Sequence, residues 1–85
     1  MNAINWQPKA IRQLRKVDAE AGKKIRVAVS TELIDLATAR NVKALTNHTH
    51  GYRLRCGNYR VFFDFDGVIR VVSIEEVRKR DERTY

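Results

Sequence analysis

Residues 52–74 read YRLRCGNYRVFFDFDGVIRVVSI, and the fold turns on them. Gly57-Asn58 and Asp66-Gly67 are pairs that tolerate positive φ, as two-residue hairpin loops require, so three short antiparallel strands are expected. A loop at Gly57 and Asn58 sets Cys56 opposite Tyr59, Arg55 opposite Arg60, Leu54 opposite Val61 and Arg53 opposite Phe62. Side chains alternate along a strand and paired residues share a face. Tyr52, Leu54, Cys56, Tyr59, Val61, Phe63 and Phe65 therefore collect on one side, which is a core face. Arg53, Arg55, Arg60 and Phe62 collect on the other, three guanidinium groups around one aromatic ring. Like charges directly opposite, as Arg55 and Arg60 are, oppose pairing. Either solvent screens such a cluster, with the arginine stems covering apolar surface, or an anion occupies it.

The third strand has two readings. A two-residue loop at Asp66-Gly67 puts Arg70 beside Phe63 on the core side, whereas a loop one residue longer puts it opposite Asp64 on the arginine face. The longer loop is expected, because a core-facing arginine needs a partner and the sequence offers none.

The chain has 85 residues, enough for one small domain (1–85) with a single core. Its formal charge of +7 calls for an acidic partner, either nucleic acid or a negatively charged protein. One cysteine excludes an internal disulfide and suits a reducing compartment. Cys56 falls on the apolar face, where it reads as a structural thiol. His48, His50 and Cys56 form no recognisable metal-ligand spacing, so no zinc is expected. No apolar run approaches the roughly 20 residues that cross a membrane, and MNAINWQPKA lacks the pattern of a signal peptide. A cytoplasmic protein is expected, without a membrane or a small-molecule cofactor.

Ahead of the sheet, Ile4 and Trp6 alternate within residues 1–6, as in a short edge strand. Pro8 suits the first turn of a helix, and Ala10, Ile11, Leu14, Val17 and Ala21 recur at helical spacing from Pro8 to about Glu20. Gly22 breaks the pattern. A second helix from Lys23 to about Ala39 carries Ile25, Ala28, Val29, Leu33, Leu36 and Ala37. So short a break makes the two a helical hairpin, whose apolar stripes cover the sheet. Residues 40–51 connect to the sheet, with Val42 and Leu45 as anchors and Asn47 to Gly51 as an exposed loop. Its histidines, His48 and His50, invite an acid–base reading, although most loop histidines have no such role. After the sheet, residues 75–85 (EEVRKRDERTY) are too polar to bury. They read as a solvated tail or frayed helix, or as a basic segment beside the arginine face with Arg78, Lys79, Arg80, Arg83 and Tyr85. The fold class expected is α+β, a helical hairpin on a small antiparallel sheet.

An arginine cluster with aromatic rings suits metal-independent RNA cleavage. RNA carries its own nucleophile, the 2′-hydroxyl, and cations stabilise the charge that develops on the phosphoryl oxygens. Arginine is a poor general base but a good electrostatic clamp. Rings such as Phe62 or Tyr85 can hold an unstacked base. The same inventory serves a plain RNA-binding module, or a basic surface that docks an acidic peptide.

GYRLRCGNYRVFFDFDG with the terminal VRKRDERTY, preceded by PKAIRQLRKV and NVKALTNH, resembles the RelE/ParE superfamily of bacterial type II toxins, on the RelE side. The resemblance covers nearly the whole chain. It implies an mRNA endonuclease that works in the ribosomal A site without a metal and is silenced by a cognate antitoxin. It also implies residue roles. Arg53 and Arg55 match the basic residues of the second strand, one of which helps to activate the 2′-hydroxyl. Arg60 matches the arginine that contacts the scissile phosphate. Arg80 matches a phosphate-stabilising arginine, with Arg78 or Lys79 as alternatives, and Tyr85 matches a tyrosine that stacks on the mRNA base. Phe62, Arg78, Lys79 and Arg83 are expected to contact RNA. ParE-like toxins share the fold and much of the wording but act on DNA gyrase, which leaves a second target open.

Overall fold

The computed structural model describes residues 1–80. Among these, the chain runs β1 (Ala3–Trp6), α1 (Pro8–Lys16), α2 (Ala19–Glu32), β2 (Val42–Ala44), β3 (Tyr52–Cys56), β4 (Tyr59–Asp66) and β5 (Val71–Lys79). The strands form one sheet in the order β1-β5-β4-β3-β2. The class is α+β, as expected, but the sheet is mixed. β1 is an edge strand that runs parallel to β5, and the other pairs are antiparallel.

The β3–β4 hairpin has the register expected from its turn: Cys56↔Tyr59, Arg55↔Arg60, Leu54↔Val61 and Arg53↔Phe62. Gly57 adopts φ +56, where a side chain would be strained. Both helices lie on the face that carries Leu54, Val61, Phe63, Val72, Ile74 and Val77. With Ala10, Ile25, Val29 and Leu33 these residues form the buried core. Cys56 packs against that core. Burial pushes its thiol pKa up, partly opposed by the Lys24 charge, which suits a structural thiol.

Several expectations need correction. The helix break lies at Val17 and Asp18, not at Gly22. Asp18 caps α2 by accepting the Ala21 N–H at 2.7 Å, which favours a helix start at that residue. Gly22 is buried inside α2, where a Cβ would already touch Val17 Cγ2 at 3.4 Å. α2 stops at Glu32, seven residues before Ala39, and Val42–Ala44 is a strand, too short for its alternation to register in sequence. The second hairpin loop is wider than expected. Asp66 pairs with Val71, and the Asp66 carboxylate accepts the Val68 and Ile69 N–H groups at 2.9 and 3.2 Å. That side-chain turn leaves Arg70 in the loop, exposed and at φ 57, while Ser73 stands opposite Asp64.

The largest correction concerns residues 75–80. They form neither helix nor solvated tail, because β5 continues to Lys79 between β1 and β4. Phe62 pairs with Glu76 and Phe63 with Ile74, so Glu75 is an extra residue in the ladder, a β-bulge. The bulge shifts the apolar spacing from Val72 and Ile74 to Val77, and this hides the strand from a reading based on strict alternation. β1 pairs only with Val71 to Ile74. Beyond it, α1 covers the edge: Val77 N–H donates to Gln13 Oε1 at 2.7 Å.

Candidate functional site

The sheet face away from the helices carries Arg53 and Arg55 on β3, Arg60, Phe62 and Asp64 on β4, and Glu76 and Arg78 on β5. The register sets Arg60 between Arg55 and Arg78, and Phe62 between Arg53 and Glu76. Arg80 joins them, held where its N–H donates to the Asn58 carbonyl at 2.6 Å. Burial and the positive charges of Arg53, Arg80 and Arg55, in that order, lower the Arg60 pKa from its ordinary value. An arginine stays protonated at neutral pH even so. Cations thus converge on the half-buried Arg60.

Beside this cluster lies a second centre that the sequence does not reveal. Glu76 Oε1 is 3.0 Å from Lys9 Nζ and 3.4 Å from Arg78 Nε, and its Oε2 is 3.0 Å from His50 Nε2. His50 Nδ1 is 3.4 Å from Asp64 Oδ2, while Asp64 Oδ1 accepts the Gly51 N–H at 2.7 Å. Burial raises the Glu76 pKa, but the hydrogen bonds from Lys9 and His50 and the charges of Arg78 and Lys9 outweigh it. The carboxyl is held below the ordinary value. Lys9 reads from sequence as one of many residues on a polar helix face, and Glu76 as part of a tail. No local signal joins two residues so far apart in the chain.

Among the described residues, His50, Asp64 and Glu75 form a group that could hold a metal ion, with one ligand atom each within 4.8 Å of the others. Two of them already bond to each other, and His50 also bonds to Glu76.

Arg53, Arg55, Arg60, Arg78 and Arg80 therefore gather on one side of the sheet. Lys79 pairs with Tyr59, whose residue lies on the helix-facing alternation, so Lys79 falls on the other side. Phe62 is not an open ring: it is 7% exposed and covered by His48. Arg83 and Tyr85 lie outside the described residues. No helix among the described residues is long and apolar enough to cross a membrane.

A family profile for the ParE toxin of the type II toxin-antitoxin system, parDE, matches residues 4–83. No curated protein sequence matches. Among solved structures, the chain is similar to one in the Mycobacterium tuberculosis RelBE2 toxin-antitoxin complex, at 22% identity over 93% of this chain and 98% of the other, with a TM-score of 0.75. The isolated E. coli RelE toxin aligns at 15% identity over 96% and 87%, with a TM-score of 0.78. A chain of the Pyrococcus horikoshii RelE-RelB complex aligns at 17% identity over 95% and 97%, with a TM-score of 0.71. The helical hairpin on a five-stranded sheet is thus a fold shared with these structures, and the chain belongs to the ParE toxin family of type II toxin-antitoxin systems, within the RelE/ParE superfamily.

Proposed function

We propose that the protein is a ribosome-dependent, metal-independent mRNA endonuclease that cuts in the A site and so inhibits translation. The observation that carries this reading is the convergence of Arg53, Arg55 and Arg80 on Arg60. Four cations crowded on one face match the charge of a phosphate in transition, where preorganised positive groups act most strongly. In this scheme the substrate's 2′-oxygen loses its proton to solvent and bonds to the adjacent phosphorus. The bond from phosphorus to the 5′-oxygen of the next nucleotide breaks and that oxygen takes up a proton from solvent, leaving a 2′,3′-cyclic phosphate and a 5′-hydroxyl. Arg60 and Arg80 clamp the phosphoryl oxygens, and Arg53 and Arg55 favour the deprotonated hydroxyl. Arg78 and Arg83 add backbone contacts, Lys79 is the weakest contributor, and Tyr85 stacks on a base. A shallow sheet face does little to orient a flexible strand, and the ribosome supplies that geometry.

A cognate antitoxin is the natural inhibitor of such a face, by laying acidic residues over the arginines or by displacing the segment after Lys79. The RelBE2 and RelE-RelB structures, which hold toxin with antitoxin, support this partner.

The profile match also favours a second reading, inhibition of DNA gyrase, with the arginine face as a docking surface. Primer extension on programmed ribosomes separates the two, with naked mRNA and a gyrase supercoiling reaction as controls. Cuts within the A-site codon that need ribosomes support the nuclease. Intact mRNA with inhibited gyrase moves the protein to the other target.

A further inference from the structure

Phe62 lies on the arginine face, yet its ring is closed to a ligand. His48 covers it, with ring centroids 5.0 Å apart and planes within 10°. His48 as a residue is exposed, one face of its ring rests on Phe62, and the His50 ring stands 5.9 Å away at a tilt of 47°.

The imidazole is held in this position. Asn47 adopts φ 53 and turns the chain back over the sheet just before His48. Leu45 N–H donates to the Gly51 carbonyl at 2.8 Å and closes the loop at its base. Gly51 N–H donates to Asp64 Oδ1 at 2.7 Å and ties that base to β4. His50 N–H donates to His48 Nδ1 at 3.0 Å, which sets the rotation of the ring. In the neutral imidazole this bond leaves the proton on Nε2, so the exposed nitrogen has no lone pair with which to accept a proton. The ring is poorly placed as a general base and well placed as a flat surface.

We propose that the outer face of His48 is a stacking platform for one unpaired nucleobase of single-stranded RNA, with Phe62 as the second layer beneath it. This rests on the reading of the arginine face as an RNA site. Proteins that read single-stranded RNA stack its splayed bases on aromatic side chains, histidine included, and such stacking tolerates any base. The surroundings fit a nucleotide. Arg53 is the cross-strand neighbour of Phe62, and Arg60 lies two residues along β4 on the same face. Two residues of strand span about 7 Å, so cations for the phosphate flank a platform for the base.

The test uses ribosomes programmed with an mRNA that carries 2-aminopurine at each A-site position in turn, with 2′-deoxyribose throughout that codon to prevent cleavage. Wild-type protein is expected to quench the 2-aminopurine fluorescence at the base stacked on Tyr85 and at the base stacked on His48, and a Tyr85→Ala background isolates the second. His48→Phe keeps the quenching and the affinity. His48→Leu and His48→Ala lose the quenching and bind about tenfold more weakly. Leucine covers Phe62 without a π face, and a melting curve for each variant shows whether it is folded. Unchanged quenching in folded His48→Leu or His48→Ala overturns the platform and leaves the RNA reading standing. Absence of wild-type binding to these ribosomes overturns both.

Discussion

Lys9 Nζ lies 3.0 Å from Glu76 Oε1, which joins the first turn of α1 to β5 beside the arginine cluster. Glu76 also meets His50 and Arg78, so one carboxylate with little exposure organises three basic groups from three parts of the chain. Its pKa in the folded protein is lowered from the ordinary 4.5. The unfolded chain therefore binds this proton more tightly. The stabilisation is fully present above the unfolded pKa and is lost as pH falls through the folded one. Glu76→Gln is expected to cost about 1–3 kcal/mol at neutral pH and to flatten this part of the acid dependence. Thermal melts between about pH 7 and pH 3 check both effects, and an acid profile identical to wild type would remove Glu76 from the account.

Arg60→Ala separates chemistry from folding. Loss of one preorganised charge at a transition state typically costs about 100- to 1000-fold in rate, so A-site cleavage should fall by that order. The variant should stay folded, because Arg60 lies on the sheet face away from the helices and the buried core. Primer extension and a melting curve on the same sample give the answer. Full cleavage by a folded Arg60→Ala protein would rule out this arginine as the phosphate contact.

Two glycines are expected to respond in opposite directions to alanine. Gly22 is inside α2, and the nearest atom to an added Cβ is Val17 Cγ2 at 3.4 Å, an ordinary contact. Gly22→Ala should raise stability by about 0.5–1 kcal/mol through helix propensity. Gly57 has open space around it but φ +56. Gly57→Ala should cost about 1–2 kcal/mol through the left-handed conformation alone. Denaturant unfolding of the two variants tests the contrast, and equal shifts would mean that space rather than backbone conformation decides both sites.

Gln13 closes the edge of β5 by accepting the Val77 N–H at 2.7 Å. Gln13→Ala leaves that partly buried donor without its partner and should destabilise by about 1–3 kcal/mol. Amide hydrogen exchange should speed up at Val77 more than at Val61, its partner in the β4–β5 ladder. Unaltered protection at Val77 would show that another group replaces the glutamine.

Residues 52–66 settle the centre of the fold on their own. A two-residue turn at Gly57-Asn58 sets the register of every pair in the β3–β4 hairpin, and register decides which arginines share a face. The apolar spacing of the helices was legible for the same reason: their stripe is a local property of the chain. Where local signals competed, as Asp18 and Gly22 do for the helix break, the cap won because it satisfies an N–H that glycine would leave open. The second half of β5, past Ile74, escaped the sequence because the bulge at Glu75 breaks the two-residue period, and because the partners of its polar residues come from elsewhere. Lys9, Gln13 and His50 reach Glu76 and Val77 across separations of 67, 64 and 26 residues. No spacing rule operates over such intervals. His48 lies over Phe62 for the same reason, since only the closed loop from Leu45 to Gly51 carries it there. Turn chemistry and periodicity are written residue by residue, whereas the groups that surround the arginines are assembled only when distant segments pack.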